Sequence, residues 1–358
     1  NIMKLITKLS YLLLISSCII FTNCTSDYMA IPGHDGIDGI DGTDGLDGQD
    51  TSAAACISCH SNSHRDPIHA SLEVSDHFNQ STIPWAGNVT LAEYTNRGDD
   101  GQDCAKCHSN EGYIDYMTTG HIAPANYPNP TAVNCTTCHS DHSTFDFEND
   151  GPDYALRTID PVELAVGGTI DYQGTSNSCV FCHQPRRSGP TDDGSGIFTI
   201  TPHYGPHYGA QSTMLEGTLG ALIPGTEGYP GVGTSTHRTD ASCVSCHMGE
   251  PNEDDGTHTF KPTLNSCISC HTNATDFDVN GVQTEVENLT HELELLLVAK
   301  GILEANGFGG VDLVTGDHSV LVSNAYWNWE YVHQDNSHGI HNPAYTLALL
   351  KNSIEALQ

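Results

Sequence analysis

Six copies of the pentapeptide Cys-x-x-Cys-His constrain this chain more than any other feature. In this motif the two thiols add to the vinyl groups of a haem, and the histidine becomes an axial ligand of the iron. A chain with six such cofactors can fold around porphyrin faces instead of a large aliphatic core. The motifs are Cys56-Ile-Ser-Cys59-His60, Cys104-Ala-Lys-Cys107-His108, Cys135-Thr-Thr-Cys138-His139, Cys179-Val-Phe-Cys182-His183, Cys243-Val-Ser-Cys246-His247 and Cys267-Ile-Ser-Cys270-His271.

Twelve of the fourteen cysteines belong to these motifs, so the sequence predicts six covalently bound haem c groups. Paired cysteines also form zinc sites, redox dithiols and structural disulfides. Zinc is disfavoured because it needs two converging cysteine pairs, without a histidine next to each second cysteine. The predicted proximal iron ligands are His60, His108, His139, His183, His247 and His271.

The first residues resemble the export signal of a bacterial lipoprotein. A short basic start precedes an apolar run from Leu9 to Phe21, which is too short to span a bilayer. In such a signal a cysteine is acylated and becomes the mature N-terminus. Here it is Cys24, where the chain turns polar, or Cys18, which better fits the small-residue pattern. We therefore expect residues 1–24 to be a signal peptide and the protein to be exported and lipid-anchored, with an uncleaved signal anchor as the alternative.

An acidic glycine repeat follows the signal. Glycine recurs every third residue from Gly33 onwards, with aspartates between and without proline, so a collagen-like triple helix would be repelled by its own charge. Residues 25–54 are predicted to be a flexible tether, and calcium binding by the aspartates is the alternative. Similar glycine-triplet leaders occur in multihaem lipoproteins of some environmental bacteria, which this segment resembles.

The net charge limits the possible partners, and the composition between the motifs indicates the fold class. A net charge of −33 at pH 7 excludes a nucleic-acid partner and leaves positively charged proteins, mineral surfaces or metal ions. Gly, Pro, Asn, Asp and Thr dominate between the motifs, so regular structure is expected to be sparse and no substantial sheet is expected. We predict a mainly α fold with much irregular loop, in which residues 55–280 form a hexahaem body around stacked haems.

The C-terminal residues 281–358 are predicted to be helical. Apolar residues recur at helical spacing over 283–303, a second helix is expected over 318–332, and a third from Pro343 to Ala356. Asn306 to Gly310 is expected to end the first of these helices. The long helices would cover the haem body or form a subunit contact, so a homo-oligomer or filament stays open.

The second axial ligand of each iron separates an electron carrier from an enzyme. A second histidine saturates the iron and leaves outer-sphere electron transfer, whereas an open position permits substrate binding. Fifteen of the 21 histidines lie outside the motifs, so every iron could have two histidine ligands.

Parts of the chain resemble the ammonia-forming cytochrome c nitrite reductases. The resemblance rests on the segment from His237 through the fifth motif and His258 to the sixth motif, and on the ending from Trp329 to Pro343. It implies a multihaem cytochrome c fold. It also implies distal ligation of the Cys179 haem by His77, of the Cys135 haem by His258, of the Cys243 haem by His341 and of the Cys267 haem by His237.

That resemblance assigns no distal ligand to the haems at Cys56 and Cys104. The candidates are His142 and either His203 or His207, of which His207 is preferred. The reserve histidines are His64, His69, His121, His318, His333 and His338.

One departure from that family bears on function. Its catalytic haem is bound by Cys-x-x-Cys-Lys, but the corresponding motif here ends in His108, as in the non-reductase relatives that pass electrons. We therefore expect an electron carrier rather than an enzyme, passing electrons between a redox partner protein and an extracellular acceptor. It is expected to be lipid-anchored in the cell envelope, at the outer membrane, and to face the periplasm or the cell exterior. The alternative is a reductase of nitrite or a similar small oxidant at a five-coordinate Cys104 haem, with donors His203, Tyr204, His207 and Arg157.

Overall fold

The structure, a computed structural model, describes residues 53–79, 104–122, 127, 129–151, 153–249 and 257–358. The chain divides into the units Asn1–Asp50 and Thr51–Gln358, and all described residues lie in the second unit. The predicted signal peptide, Cys18, Cys24 and the glycine repeat lie outside the described residues.

Short helices separated by irregular loops make up the motif-bearing part, and three long helices lie at the C-terminal end. None of the described helices combines the length and apolar character that a membrane span requires. The helices are α1 (Ala53–His60), α2 (Asn62–Glu73), α3 (Ala105–His108), α4 (Asn110–Thr119), α5 (Cys135–Cys138), α6 (Asn177–Val180), α7 (Gln211–Glu216), α8 (Thr236–Asp240), α9 (Ser242–His247), α10 (Leu264–Ile268), α11 (Val282–Ala299), α12 (Val320–Asp335) and α13 (Pro343–Leu357), with a 3-10 turn at Val279–Gly281.

Strands in the described residues form three two-stranded antiparallel sheets. One of them joins distant parts of the chain, because Phe198 pairs with His318. The strands are β1 (Val162–Glu163) with β2 (Thr169–Ile170), β3 (Ile197–Ile200) with β6 (Gly316–Ser319), and β4 (Leu303–Ala305) with β5 (Val311–Leu313).

The first long helix ends earlier than the sequence pattern predicts. α11 stops at Ala299, and Gly301 follows with a left-handed φ of 75°. Residues from Leu303 onwards turn back as the β4–β5 hairpin, whose loop is closed by the Asn306 N–H donating to the Gly310 carbonyl at 2.9 Å. The glycine-rich segment is therefore a hairpin loop and not the helix stop, because Gly301 already supplies the left-handed residue that ends a helix.

The last two helices have well-formed N-termini. Ser319 Oγ accepts the Val322 N–H at 3.3 Å, so α12 starts at Val320, and His318 lies in β6 rather than in the predicted helix. Asn342 Oδ1 accepts the Tyr345 N–H at 3.3 Å, with Pro343 at the first helical position.

The main apolar core packs around these long helices. Trp327, Tyr331, Leu293 and Leu349 are each 0 % exposed, and all belong to one cluster. A smaller cluster, which includes Val180 inside the fourth motif, lies in the motif-bearing part. The aliphatic and aromatic core thus stabilises the C-terminal helices, whereas the cysteines and histidines of the motifs line a cavity.

Candidate haem-binding site

Each motif is wound into about one helical turn. In four motifs the histidine N–H donates to the carbonyl of the first cysteine: Cys104 to His108 at 2.9 Å, Cys135 to His139 at 2.9 Å, Cys179 to His183 at 3.0 Å, and Cys267 to His271 at 2.8 Å. Residues three and four positions apart share one face of a helix. The turn therefore presents both thiols and the imidazole on the same side.

A second histidine ring faces every motif histidine. Two metal–nitrogen bonds of about 2.0 Å, plus the half-widths of two imidazoles, would separate ring centroids by about 6 Å. The centroid distances are His60–His142 5.9 Å, His77–His183 6.0 Å, His108–His207 6.3 Å, His139–His258 6.3 Å, His237–His271 6.1 Å and His247–His341 6.3 Å. Each pair leaves room for one iron between its rings.

These pairs include all six candidate distal ligands. His77, His258, His341 and His237 each face the motif histidine that the resemblance assigned to them. His142 faces the first motif, at His60.

At the second motif, His207 and not His203 faces His108. The carbonyl of His203 instead accepts from Arg187 Nη1 at 3.3 Å. The reserve histidines have other contacts or lie exposed: His69 lies 3.5 Å from Glu73, His318 lies 2.9 Å from the Val314 carbonyl, His333 stacks on Trp329, His338 lies 3.1 Å from Glu287, and His64 and His121 are exposed.

Hydrogen bonds at Nδ1 orient many of the facing rings. Nδ1 of His139 donates to the Tyr154 carbonyl at 2.7 Å, and Nδ1 of His237 donates to the Ile340 carbonyl at 2.5 Å. With the proton on Nδ1, the lone pair of Nε2 is available to a metal. Backbone carbonyls in irregular segments therefore set both the angle and the tautomer of these rings.

Burial keeps several of these rings neutral. It lowers the pKa of His77 and of His108 to about 4, and burial together with the neighbouring Arg186 lowers the pKa of His207 to about 4. Burial also acts on His341, but the carboxylate of Asp335 overcomes it and raises the pKa of that ring. A neutral imidazole is the form that binds a metal.

One cavity connects all six sites. It measures about 3940 Å³ and is lined by all twelve motif cysteines and all twelve facing histidines. A pocket for one drug-sized ligand rarely exceeds about 1,000 Å³, so this space suits several large cofactors. The motif cysteines form no disulfide, and the described residues hold no cluster of three or more His, Cys, Asp or Glu arranged for a metal ion. The size of the cavity and its lining of paired cysteines and facing histidines fit covalent haem.

Neighbouring motifs touch one another. Interaction with the Cys107 thiol raises the pKa of the Cys182 thiol, and interaction with the Cys179 thiol raises the pKa of the Cys243 thiol, so these motifs are neighbours. Further contacts join the second motif region to the third and the fifth to the sixth, through Thr137 Oγ1 donating to Asn110 Oδ1 at 2.7 Å and Ser266 Oγ donating to the Cys246 carbonyl at 3.1 Å. The attachment points of the second to sixth motifs are therefore connected with one another.

Phe260 links three ring pairs, and the sequence pattern did not indicate it. Its ring lies 4.5 Å from that of His77 and 5.7 Å from that of His258. Its carbonyl accepts from His247 Nδ1 at 2.8 Å. The residue thus fixes the relative placement of three sites.

Two arginines contact the second and third haem sites. Arg186 Nη1 donates to His207 Nε2 at 3.0 Å. Arg157, a suggested donor at the Cys104 haem, instead donates to the Thr136 carbonyl at 2.7 Å and the His139 carbonyl at 3.2 Å. It therefore caps the third motif, because the last carbonyls of a helix lack intrahelical donors. The hydroxyl of Tyr204, another suggested donor, is bonded to the Ser188 carbonyl at 2.8 Å.

Glu330 brings a half-buried carboxyl to the cavity wall. It packs against Gly205, where an added Cβ would lie 3.1 Å from its Cγ, and its Oε1 accepts from Gln334 Nε2. Burial raises the pKa of Glu330 to about 7, and the bond from Gln334 offsets this in part.

The raised pKa of Glu330 implies that the free energy of unfolding depends on pH. Its folded pKa of about 7 lies above the ordinary 4.5, so the folded state binds more protons between these values. The free energy of unfolding should therefore fall by up to roughly 3 kcal/mol as the pH rises through this window. Glu330→Gln should remove the fall in guanidinium unfolding curves, whereas the same change at the exposed Glu304 should leave it. An unchanged slope in Glu330→Gln would contradict this assignment.

Two family models match different parts of the chain. Residues 42–193 match the model described as outer membrane cytochrome MtrC/MtrF-like, domains II/IV, and residues 224–358 match the model described as cytochrome c552. A comparison with curated proteins found no significant match.

A solved structure shares the fold. The crystal structure of the outer cell wall cytochrome OcwA superposes with a TM-score of 0.50 at 19% sequence identity, over 81% of this chain and 50% of that chain. The chain thus spans about half the length of that structure. Together with the six motifs, these similarities support a multihaem c-type cytochrome.

Proposed function

We propose that the chain is an exported hexahaem c-type cytochrome that carries electrons from haem to haem, outside or across the cell envelope. The observation that carries this proposal is the set of six facing histidine pairs at 5.9 to 6.3 Å. Haem supplies reversible one-electron chemistry when bound. The protein's part is to hold each group by two thioethers and two imidazoles, and to set its potential by hydrogen bonds and burial.

The proposed proximal and distal ligands are the ring pairs themselves. His142 is assigned to the Cys56 haem and His207 to the Cys104 haem, supported by their positions opposite His60 and His108. With two imidazoles at every iron, transfer is outer-sphere and no small substrate binds.

The contacts between motifs support a continuous route. The mutual influence of Cys107 with Cys182 and of Cys179 with Cys243 on their pKa values supports close attachment points for the haems of the second, fourth and fifth motifs. In this proposal electrons enter from a redox partner protein and leave to an extracellular acceptor. The net charge of −33 favours partners or surfaces that carry positive charge.

The location is part of the same proposal. Lipidation at Cys24 or Cys18 would hold the hexahaem body at the envelope through the acidic tether, most simply at the outer membrane. The similar proteins are named for an outer membrane and an outer cell wall, which agrees with such a place.

A reductase of nitrite or a similar small oxidant is the second candidate. Two observations favour it: residues 224–358 match the cytochrome c552 model, and Arg186 Nη1 lies 3.0 Å from His207 Nε2, the atom that would bind the Cys104 iron. If Arg186 kept that nitrogen from the iron, one position would stay open at this haem.

Acceptor specificity tests the proposal. The purified protein is expected to contain six haems per chain by the pyridine haemochrome assay. After chemical reduction, all six should be reoxidised rapidly by an outer-sphere ferric complex, and nitrite and hydroxylamine should not be consumed catalytically. Sustained nitrite or hydroxylamine turnover that is lost in His207→Ala or Arg186→Gln would establish the reductase instead.

A further inference from the structure

Asp335, the last residue of α12, is a buried carboxylate bonded to a ligand ring. It is 2% exposed, and its Oδ1 accepts from His341 Nδ1 at 2.7 Å. Its Oδ2 accepts from the hydroxyl of Ser337, whose Oγ in turn accepts the His341 N–H at 3.3 Å. This closed set of bonds holds the His341 ring with Nε2 free to face His247.

The other ligand rings with a described Nδ1 partner face neutral groups. His142 is the nearest exception, but it lies 3.7 Å from Asp153 Oδ2, beyond hydrogen-bond length, and that oxygen already accepts from Ser143 and Thr144. The neutral partners are the carbonyls of Tyr154, Phe260 and Ile340 at His139, His247 and His237, the Gln211 side chain at His183, and the Thr257 hydroxyl at His258.

The end of α12 and the loop after it supply both kinds of partner. The loop residue Ile340 presents a neutral carbonyl to His237, the distal ligand proposed for the Cys267 haem. Five residues earlier, Asp335 presents a carboxylate to His341, the distal ligand proposed for the Cys243 haem. The distal rings proposed for the two neighbouring haems therefore differ in the charge of this hydrogen-bond acceptor.

A carboxylate acceptor changes the chemistry of an iron ligand. It draws the Nδ1 proton towards itself, so the imidazole becomes a stronger donor to the iron. It also adds a negative charge in a buried region, which favours the more positive, ferric state. Both effects lower the reduction potential of the haem.

We propose that Asp335 makes the Cys243 haem the lowest-potential haem of the six. The inference rests on the proposed electron-transfer function and deepens it. The fifth motif touches the fourth through Ser176 and Ser242, 2.9 Å apart, and the sixth through Ser266. Electrons would thus occupy the other haems at equilibrium and would reach the Cys243 haem only in transit between its neighbours.

A potentiometric titration of the haem-loaded full chain tests this, resolved into six one-electron steps. In Asp335→Asn the lowest step, one sixth of the absorbance change, should move upward. We expect at least a tenfold change in the ratio of oxidised to reduced haem at fixed potential, equal to 59 mV for a one-electron couple. The other five steps should stay in place.

Two further variants make the test independent of any folding defect. Ser337→Ala removes a donor to the carboxylate and leaves its charge, so the same step should move downward. Glu287→Gln is the matched control, because Glu287 lies 3.1 Å from His338 in the same loop, and His338 faces no motif histidine. It should move no step.

The proposal is overturned if the lowest step stays in place in both Asp335→Asn and Ser337→Ala, or if a different step moves. Failure of the proposed electron-transfer function would give a different experimental result. It would show in the unmodified protein as fewer than six titrating haems or as catalytic consumption of nitrite.

Discussion

Replacing His77 by alanine is expected to convert one haem in six from low-spin to high-spin. His77 lies beyond the end of α2, and its ring centroid is 6.0 Å from that of His183 in the fourth motif. No other histidine ring faces His183 in the described residues, so water or an added ligand would occupy the freed position. EPR of the oxidised protein should show a high-spin signal of one haem per chain, and added imidazole should restore the low-spin form.

His69 provides the matched control for this change. It lies on α2, is 54% exposed, and its ring is 3.5 Å from Glu73. His69→Ala should leave all six haems low-spin. The ligand assignment is wrong if His77→Ala stays fully low-spin, and it is wrong as well if His69→Ala produces the high-spin signal.

Replacing Trp327 by alanine is expected to cost the largest amount of stability. The side chain is 0 % exposed, stacks on Tyr331 and donates from Nε1 to the Leu219 carbonyl at 2.8 Å. Removing a buried tryptophan costs about 3–5 kcal/mol, and the unpaired carbonyl adds about 1 kcal/mol. Since α12 also carries Asp335 at its end, the loop that holds His341 should loosen.

Guanidinium unfolding followed by circular dichroism measures this effect. Leu321→Ala is the control on the same helix, because Leu321 is 43% exposed and its loss should change the free energy of unfolding by about 0.5 kcal/mol or less. Trp327→Phe keeps most of the packing and should fall between the two. A loss below about 1 kcal/mol in Trp327→Ala would contradict the placement of this residue at the centre of the core.

The motif residues could be predicted from sequence because their spacing is dictated by covalent chemistry. Two thiols and one imidazole must reach a single haem, so the spacing of Cys104, Cys107 and His108 by itself indicates a haem attachment site. The long helices at the C-terminal end could also be predicted from the sequence, because their apolar residues recur with the helical period.

The remaining features depend on contacts between distant parts of the chain. The hydrogen bond from Arg157 to the third motif spans 18 residues at His139, and Phe260 joins rings from three sites. α11 ends earlier than predicted because Gly301, and not the longer glycine run after it, supplies the left-handed residue. Asp335 lies six residues before His341, yet nothing in the spacing alone distinguishes it from the many other acidic residues.

The most direct measurement is an EPR and near-infrared magnetic circular dichroism spectrum of the oxidised, haem-loaded protein, quantified per haem. The proposal predicts six low-spin haems with two histidine ligands each and no high-spin fraction, as the six facing ring pairs suggest. One high-spin iron in six in the unmodified protein would contradict it. That result would place an open position most simply at the Cys104 haem, where Arg186 contacts His207.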